Sequence, residues 1–339
     1  MSRPAAAVHR VIKAYDVRGL VGEEIDERFV ADVGAAFARL VRDEGTPGAE
    51  QVAIGHDMRS SSPSLADAFA DGVVCQGLDV VRIGLASTDQ LYFASGLLDC
   101  PGAMFTASHN PAAYNGIKLC RAGAKPVGKD SGLTPISDEV ITGVPAYDGP
   151  VGKMVDRDVL ADYGEFLRSL VDVTQLRPLR VAVDAGNGMA GHTTPAVLGP
   201  IPSITLLPLY FELDGTFPNH EANPLDPANL VDLQAHVVST GADIGLAFDG
   251  DADRCFVVRI GAPGIAIRGY RTGGRARIEQ GDRRNGDPQP DHLPSGTRVG
   301  RGARRNSGAL ARGPFLHQGA DGRNRSDFRW RALGALLLP

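Results

Sequence analysis

The chain has 339 residues and a formal net charge of −5 at pH 7, an average over two unlike parts. Residues 1–258 hold 19 basic and 34 acidic side chains, net −15, whereas residues 259–339 hold 16 Arg, no Lys and 6 acids, net +10, with 15 of the 42 Gly. The 43% apolar content argues against global disorder, and no apolar run approaches the roughly 18–20 residues of a membrane helix. Met1–Arg10 lacks an apolar run, so no secretory signal is expected. Cys75, Cys100, Cys120 and Cys255 lie far apart with no C-x-x-C pair, which favours reduced thiols in a cytoplasm over a disulfide or zinc framework.

Along the chain, residues 27–42 place Val30, Val33, Phe37, Leu40 and Val41 on one helical face. Val52–Ile54 reads as a buried strand. Ser60–Ser62 and Pro63 open a second helix, with hydroxyls to cap it and Pro in its first turn. Val80–Ile83 is another strand, and Met104-Phe105 ends one more before a polar loop. The Gly/Pro/Ser-rich residues 123–152 read as a linker. The pattern then restarts with a helix over 159–171, strands at 180–183 and 204–207, a helix over 229–240 and a buried strand at 244–248. The fold class expected is α/β: two consecutive α/β/α domains with mostly parallel sheets, residues 1–150 and 151–258. Residues 259–339 show no sustained period and are expected to be an irregular or disordered tail.

Functional loops in such domains lie at the carboxyl ends of strands, and two stand out. Phe248–Arg254 presents Asp249, Asp251 and Asp253 on one tight loop. Each unpaired carboxylate couple at about 4 Å repels by roughly 4 kcal/mol at an effective dielectric near 20, so the cluster calls for a cation. All-oxygen ligation with open positions suits Mg²⁺; an EF-hand would want Gly where Arg254 stands and Glu where Ile260 stands. The second loop is Phe105–Pro111, with Ser108 as candidate nucleophile or phosphoryl carrier and His109 beside it. Lys118 follows on Asn115–Lys118. Arg18, in Tyr15–Gly19, and Arg59, ahead of a helix N-terminus, are candidate phosphate ligands. A competing signal is Gly186-x-Gly188-x-x-Gly191 after a strand, with Glu212 downstream, which fits a dinucleotide fingerprint on paper.

Taken together, Y-D-V-R-G, T-A-S-H-N-P, N-G-I-K, V-D-A-G-N-G and D-G-D-A-D-R, in that order over residues 11–258, resemble the α-D-phosphohexomutase family, the bacterial phosphomannomutase/phosphoglucomutase group. The resemblance implies an isomerase that moves phosphate between O6 and O1 of a mannose or glucose phosphate through a phosphoserine and a bisphosphate intermediate. It implies Ser108 as that phosphoserine and Asp249, Asp251 and Asp253, with a phosphoserine oxygen, as Mg²⁺ ligands. Arg18, His109, Lys118 and Arg254 would surround the transferred group, with Arg59 and Asn110 as further phosphate or substrate contacts. A hexose 1,6-bisphosphate would prime the serine.

The family's third domain carries a loop like G-E-H-S-A-H and its fourth one like R-x-S-G-T-E-P; neither string occurs here. Read one nucleotide later with allowed synonymous codons, Trp330–Pro339 can give G-E-H-S-A-H-Y-Y-F, and three earlier stretches also give strings expected of that third domain, in order. A tail rich in Arg, Gly, Ala and Pro without Lys is what a GC-rich gene gives out of frame. The expectation is a frameshift near codons 258–261 and impaired or absent turnover. The alternatives are a dinucleotide-binding protein and a nucleic-acid-binding protein using the basic tail, which lacks aromatic interleaving.

Overall fold

The computed structural model describes residues 3–45 and 48–258, and the backbone of 268–271. All of them fall in one contact unit. The expectations for the rest of the tail, its irregularity, its shifted frame and its use as a basic arm, lie outside the described residues.

The first domain runs α1 (Ala5–Val11), β1 (Val17–Leu20), α2 (Glu27–Asp43), β2 (Gln51–His56), α3 (Ser62–Val74), β3 (Asp79–Leu85), α4 (Thr88–Leu98), β4 (Gly102–Phe105), β5 (Tyr114–Arg121), β6 (Lys125–Pro126), α5 (Leu133–Thr142) and β7 (Met154–Asp156). Its sheet has the order β1-β5-β4-β2-β3-β7, with β6 on β5. Strands β2, β3, β4 and β7 pair in parallel, and β5 is antiparallel to β1, β4 and β6. The second domain runs α6 (Leu160–Ser169), β8 (Leu179–Asp184), α7 (Ala190–Leu198), β9 (Ile204–Leu209), α8 (Val231–Thr240), β10 (Ile244–Phe248), β11 (Arg254–Val258) and β12 (Arg268–Arg271). Its sheet order is β12-β11-β10-β8-β9, parallel through β10, β8 and β9 and antiparallel beyond.

The periodic segments form for the reasons their sequences give. Asp26 caps α2 by accepting from Phe29 N at 2.6 Å, and Val30, Val33, Phe37 and Val41 are buried. Phe37, Phe69 and Phe105 pack in a row through the first core, the first pair tilted and the second edge-to-face, with ring centroids 6.1 and 5.5 Å apart. Truncating a ring of this kind costs about 3–5 kcal/mol.

Four expectations need correction. The linker at 123–152 contains α5, whose Leu133, Ile136 and Val140 are buried at i, i+3, i+7; the Gly and Pro around it hid a short amphipathic helix. The boundary at 150 falls too early, because β7 pairs with β3 in the first sheet. The boundary at 258 also falls short, since β12 pairs with β11 in register Arg254↔Arg271 to Val257↔Arg268. Finally, the hydroxyls at the start of α3 do not cap it. Ser62 Oγ donates to Asp57 at 2.6 Å, and Ser61 Oγ accepts from Asn115 Nδ2 at 2.8 Å.

Candidate active site

Two loops meet: the one between β4 and β5, carrying Ser108, and the one between β10 and β11, carrying the three aspartates. Ser108 Oγ donates to Asp249 Oδ2 at 2.8 Å. Arg254 closes the contact, with Nη2 on Ser108 Oγ at 2.7 Å and Nε on Asp249 Oδ2 at 2.7 Å, and it also contacts His109 Nδ1. Lys118, on β5, donates to Asp251 Oδ2 at 2.5 Å and Asp253 Oδ2 at 2.8 Å. Asp249 and Asp251 are fully buried.

Close approach of the loops depends on two glycines. A Cβ on Gly250 would collide with the Ser108 carbonyl, and one on Gly188 would lie 2.7 Å from Gly250 O. Gly188 therefore serves the packing of its turn against the acidic loop. Five of the six amides of residues 186–191 are engaged inside the protein: Gly186 on Asp184, Asn187 on Tyr210, Gly188 on Ala185, Met189 on Gly250 and Gly191 on Gly188. Glu212 meets the same turn through its carbonyl, which accepts from Asn187 Nδ2 at 2.9 Å.

The electrostatics follow from burial and charge. Burial, with Asp251 and Asp253 close by, pushes Asp249 well above the usual carboxylate range. Burial also works against ionisation of Asp251, but the Lys118 ammonium and the hydrogen bonds around it hold that group below its ordinary value. For Lys118, the two aspartates outweigh desolvation and raise its pKa, so it stays charged. Desolvation, with Arg254 and Arg18 nearby, lowers His109 to about 4, so the imidazole is neutral at physiological pH.

One carboxylate oxygen from each of Asp249, Asp251 and Asp253 lies within 4.8 Å of the other two. Asp251 Oδ1 is buried with no hydrogen-bond partner among the described residues. Three carboxylates, one presenting an orphaned oxygen, against the two cations Lys118 and Arg254 leave a site that fits a divalent cation.

Of the other residues singled out, Arg18 donates to Asn110 Oδ1 at 2.8 Å and Asp16 Oδ2 at 2.6 Å, while its Nε is buried with no partner among the described residues. Arg59 is a correction. It is 1% exposed, and all five of its side-chain donors are taken by protein oxygens: Asp57 Oδ2 and the carbonyls of Pro111, Tyr114, Ser108 and Asn110. It has no donor left for a phosphate, because the loop it was expected to serve folds around it.

Sequence reasoning missed Thr88. This buried first residue of α4 donates Oγ1 to Asp251 Oδ2 at 2.5 Å and N to Asp251 O at 3.1 Å. The available signal was Ser87, whose side chain caps α4 by accepting from Gln90 N at 3.1 Å. Such a cap announces a helix start, but not what that start will touch.

Two mixed, mostly parallel α/β/α domains facing each other through a serine loop and an acidic loop define the architecture. Residues 9–141 match the phosphoglucomutase/phosphomannomutase alpha/beta/alpha domain I, and residues 161–260 match domain II. The chain belongs to this family. It is 41% identical over 245 residues to a phosphohexose mutases protein of Xanthomonas campestris pv. campestris, covering 72% of this chain and 53% of that one. It is 38% identical over 258 residues to a phosphomannomutase/phosphoglucomutase of Pseudomonas putida, covering 75% and 53%. Among solved structures, a phosphoglucomutase/phosphomannomutase family protein from Burkholderia thailandensis superposes with a TM-score of 0.68 at 34% identity, over 76% of this chain and 55% of that one. The chain thus spans about half the length of the curated relatives it matches.

Proposed function

We propose that this chain carries the phosphoserine and cation site of a phosphohexomutase acting on a mannose or glucose phosphate. The observation that carries the reading is Ser108 Oγ between Asp249 and Arg254, at 2.8 and 2.7 Å. In the first transfer the bond from phosphorus to Ser108 Oγ breaks as a bond to sugar O1 or O6 forms, the sugar hydroxyl giving up its proton and the serine oxygen taking one. In the second, once the bisphosphate has turned over, the phosphorus bond to the other sugar oxygen breaks as the bond to Ser108 Oγ re-forms, with the protons moving the opposite way. Such a reaction asks the protein for positioning and charge neutralisation more than for covalent chemistry. Arg254 already donates to Ser108 Oγ, which places a cation on the bridging oxygen. Lys118 stays charged and sets the positions of Asp251 and Asp253. The buried Nε of Arg18 is a donor for a phosphoryl oxygen beside Asn110. His109, neutral, contributes a hydrogen-bonding nitrogen without adding charge. Asp249, Asp251 and Asp253 would hold Mg²⁺, which when bound supplies charge neutralisation to the phosphoryl group.

Incubation with α-D-glucose 1,6-bisphosphate and Mg²⁺ tests the reading: intact mass should rise by one phosphoryl group, and Ser108→Ala should not change. A wild-type chain that takes up no phosphoryl group sinks the proposal. The engagement of five of the six amides of residues 186–191 within the protein favours this reading over dinucleotide binding. Because residues 259–339 supply neither the sugar-selecting nor the distal phosphate string, multiple-turnover mutase activity of the 339-residue polypeptide is expected far below that of its relatives. Comparable turnover would overturn that part.

A further inference from the structure

Resting on the reading of Ser108 as the phosphoryl carrier, we propose that Arg59 is a positioning residue: its guanidinium is the template around which the nucleophile loop is wound. Four carbonyls of one loop point at it. Nη1 donates to Pro111 O at 2.8 Å and Tyr114 O at 3.0 Å, and Nη2 to Ser108 O at 3.0 Å and Asn110 O at 2.7 Å. Four converging carbonyl dipoles repel one another unless a cation sits at their focus. Arginine alone offers five donors in a fixed planar fork; a lysine has three on a single nitrogen.

The consequence falls on Ser108. Its φ is +52°, in the left-handed region that a residue with a side chain occupies only when its surroundings impose it. Both of its flanking peptides are pinned. Ser108 N donates to Thr106 Oγ1 at 2.9 Å, and Ser108 O accepts from Arg59. The two pins share an anchor. Asp57 is fully buried and hydrogen-bonds with the Thr106 side chain, with Ser62 Oγ and with Arg59 through both N and Nε. The serine's backbone is thus tied on both sides to one buried carboxylate, and its Oγ is delivered to Asp249.

The same unit sets the serine loop against the second domain. Gly250 lies against the Ser108 carbonyl that Arg59 holds. The Phe217 ring covers the guanidinium, 5.2 Å from its centroid. A buried charge is a poor device for stability alone, since an apolar residue of similar volume often serves as well. A charge with every donor aimed at one loop is suited to fixing that loop's shape.

The test compares wild type with Arg59→Lys and Phe217→Leu. Single-turnover phosphorylation by α-D-glucose 1,6-bisphosphate with Mg²⁺ is followed by intact mass, and thermal unfolding and amide exchange are followed by mass spectrometry. In Arg59→Lys the maximal rate should fall about 100-fold, the effect of a misplacement near 1 Å. The half-saturating bisphosphate concentration should move less than about threefold. Amides of residues 106–114 should exchange faster, while the rest of the first domain keeps wild-type protection. Phe217→Leu should show the same split in weaker form, and it carries the test if Arg59→Lys does not fold. A raised half-saturating concentration at unchanged maximal rate would make Arg59 a phosphate ligand and overturn the proposal. So would a rate that falls only with the unfolded fraction, or unchanged exchange over 106–114. If wild type takes up no phosphoryl group, the carrier reading fails, and the exchange result alone decides whether Arg59 shapes the loop.

Discussion

Thr88 and His220 show how single side chains act here through buried partners. Thr88 Oγ1 satisfies one oxygen of Asp251, while the other is buried with no hydrogen-bond partner among the described residues. Replacing Thr88 by Val keeps the volume but removes the donor from a buried carboxylate, which costs about 1.5–3 kcal/mol for a hydrogen bond to a charged group. We expect a matching loss of stability and weaker Mg²⁺ binding, measured by urea unfolding and by cation titration of the thermal midpoint. His220 Nδ1 lies 2.9 Å from the Glu221 carbonyl, to which it can only donate, and Nε2 lies 3.0 Å from Asp184 Oδ2. Burial opposes the charged ring, but these bonds and the neighbouring carboxylates win and raise its pKa above 6.5. The folded chain therefore binds the proton more tightly than the unfolded one. The stability this contributes is full below the unfolded value and is lost as pH rises through the raised one. The stability gap between wild type and His220→Gln should be wider at about pH 5.5 than at about pH 8.5 in denaturant titrations; an equal gap at both would contradict it.

At the scale of elements, both site loops follow strand ends, as open α/β sheets dictate. What brings them together is the absence of side chains at Gly188 and Gly250. Gly188→Ala sets a methyl 2.7 Å from a backbone oxygen and 2.9 Å from a Cα, neither of which can swing away. Overpacking of this kind costs about 1–3 kcal/mol. The loss should appear in urea unfolding together with a smaller Mg²⁺-induced rise in thermal midpoint. The elements legible in the sequence were those with a long period, such as α2, or a dense apolar run, such as β10. Those that escaped were short or crowded by punctuation. Helix α5 sits between Gly132 and Gly143, and β7 has two exposed residues of three and belongs to its sheet only by pairing with β3.

For the molecule as a whole, the acidic loop belongs to the second domain and its cations come from both: Lys118 from the first, Arg254 from the second. Cation binding should therefore stabilise the folded chain. At 100 times the dissociation constant, Mg²⁺ adds about 2.7 kcal/mol. EDTA should remove the added stability, and Asp251→Asn should abolish the response in thermal unfolding. The candidate residues of the two loops stand out in the sequence because chemistry restricts residue type and local order. Three alternating aspartates after a buried strand point to a cation, and Ser-His-Asn-Pro at a strand end marks a loop. Arg59 was misread for the same reason, since an arginine near a helix start has the composition of a phosphate ligand. Nothing in its neighbours says that four carbonyls from residues 108–114 will close on it.

The sequence by itself determined the α/β class, the charge division near residue 258, the two candidate loops and the family, because these depend on local period, residue chemistry and motif order. Only the tertiary structure decided that Arg59 faces inward, that Thr88 holds Asp251, that Ser108 is fixed in a left-handed conformation and that the glycine turn backs the acidic loop. Those facts depend on contacts between residues tens to more than a hundred positions apart, and such contacts exist only once the backbone has brought the two sheets' loops together.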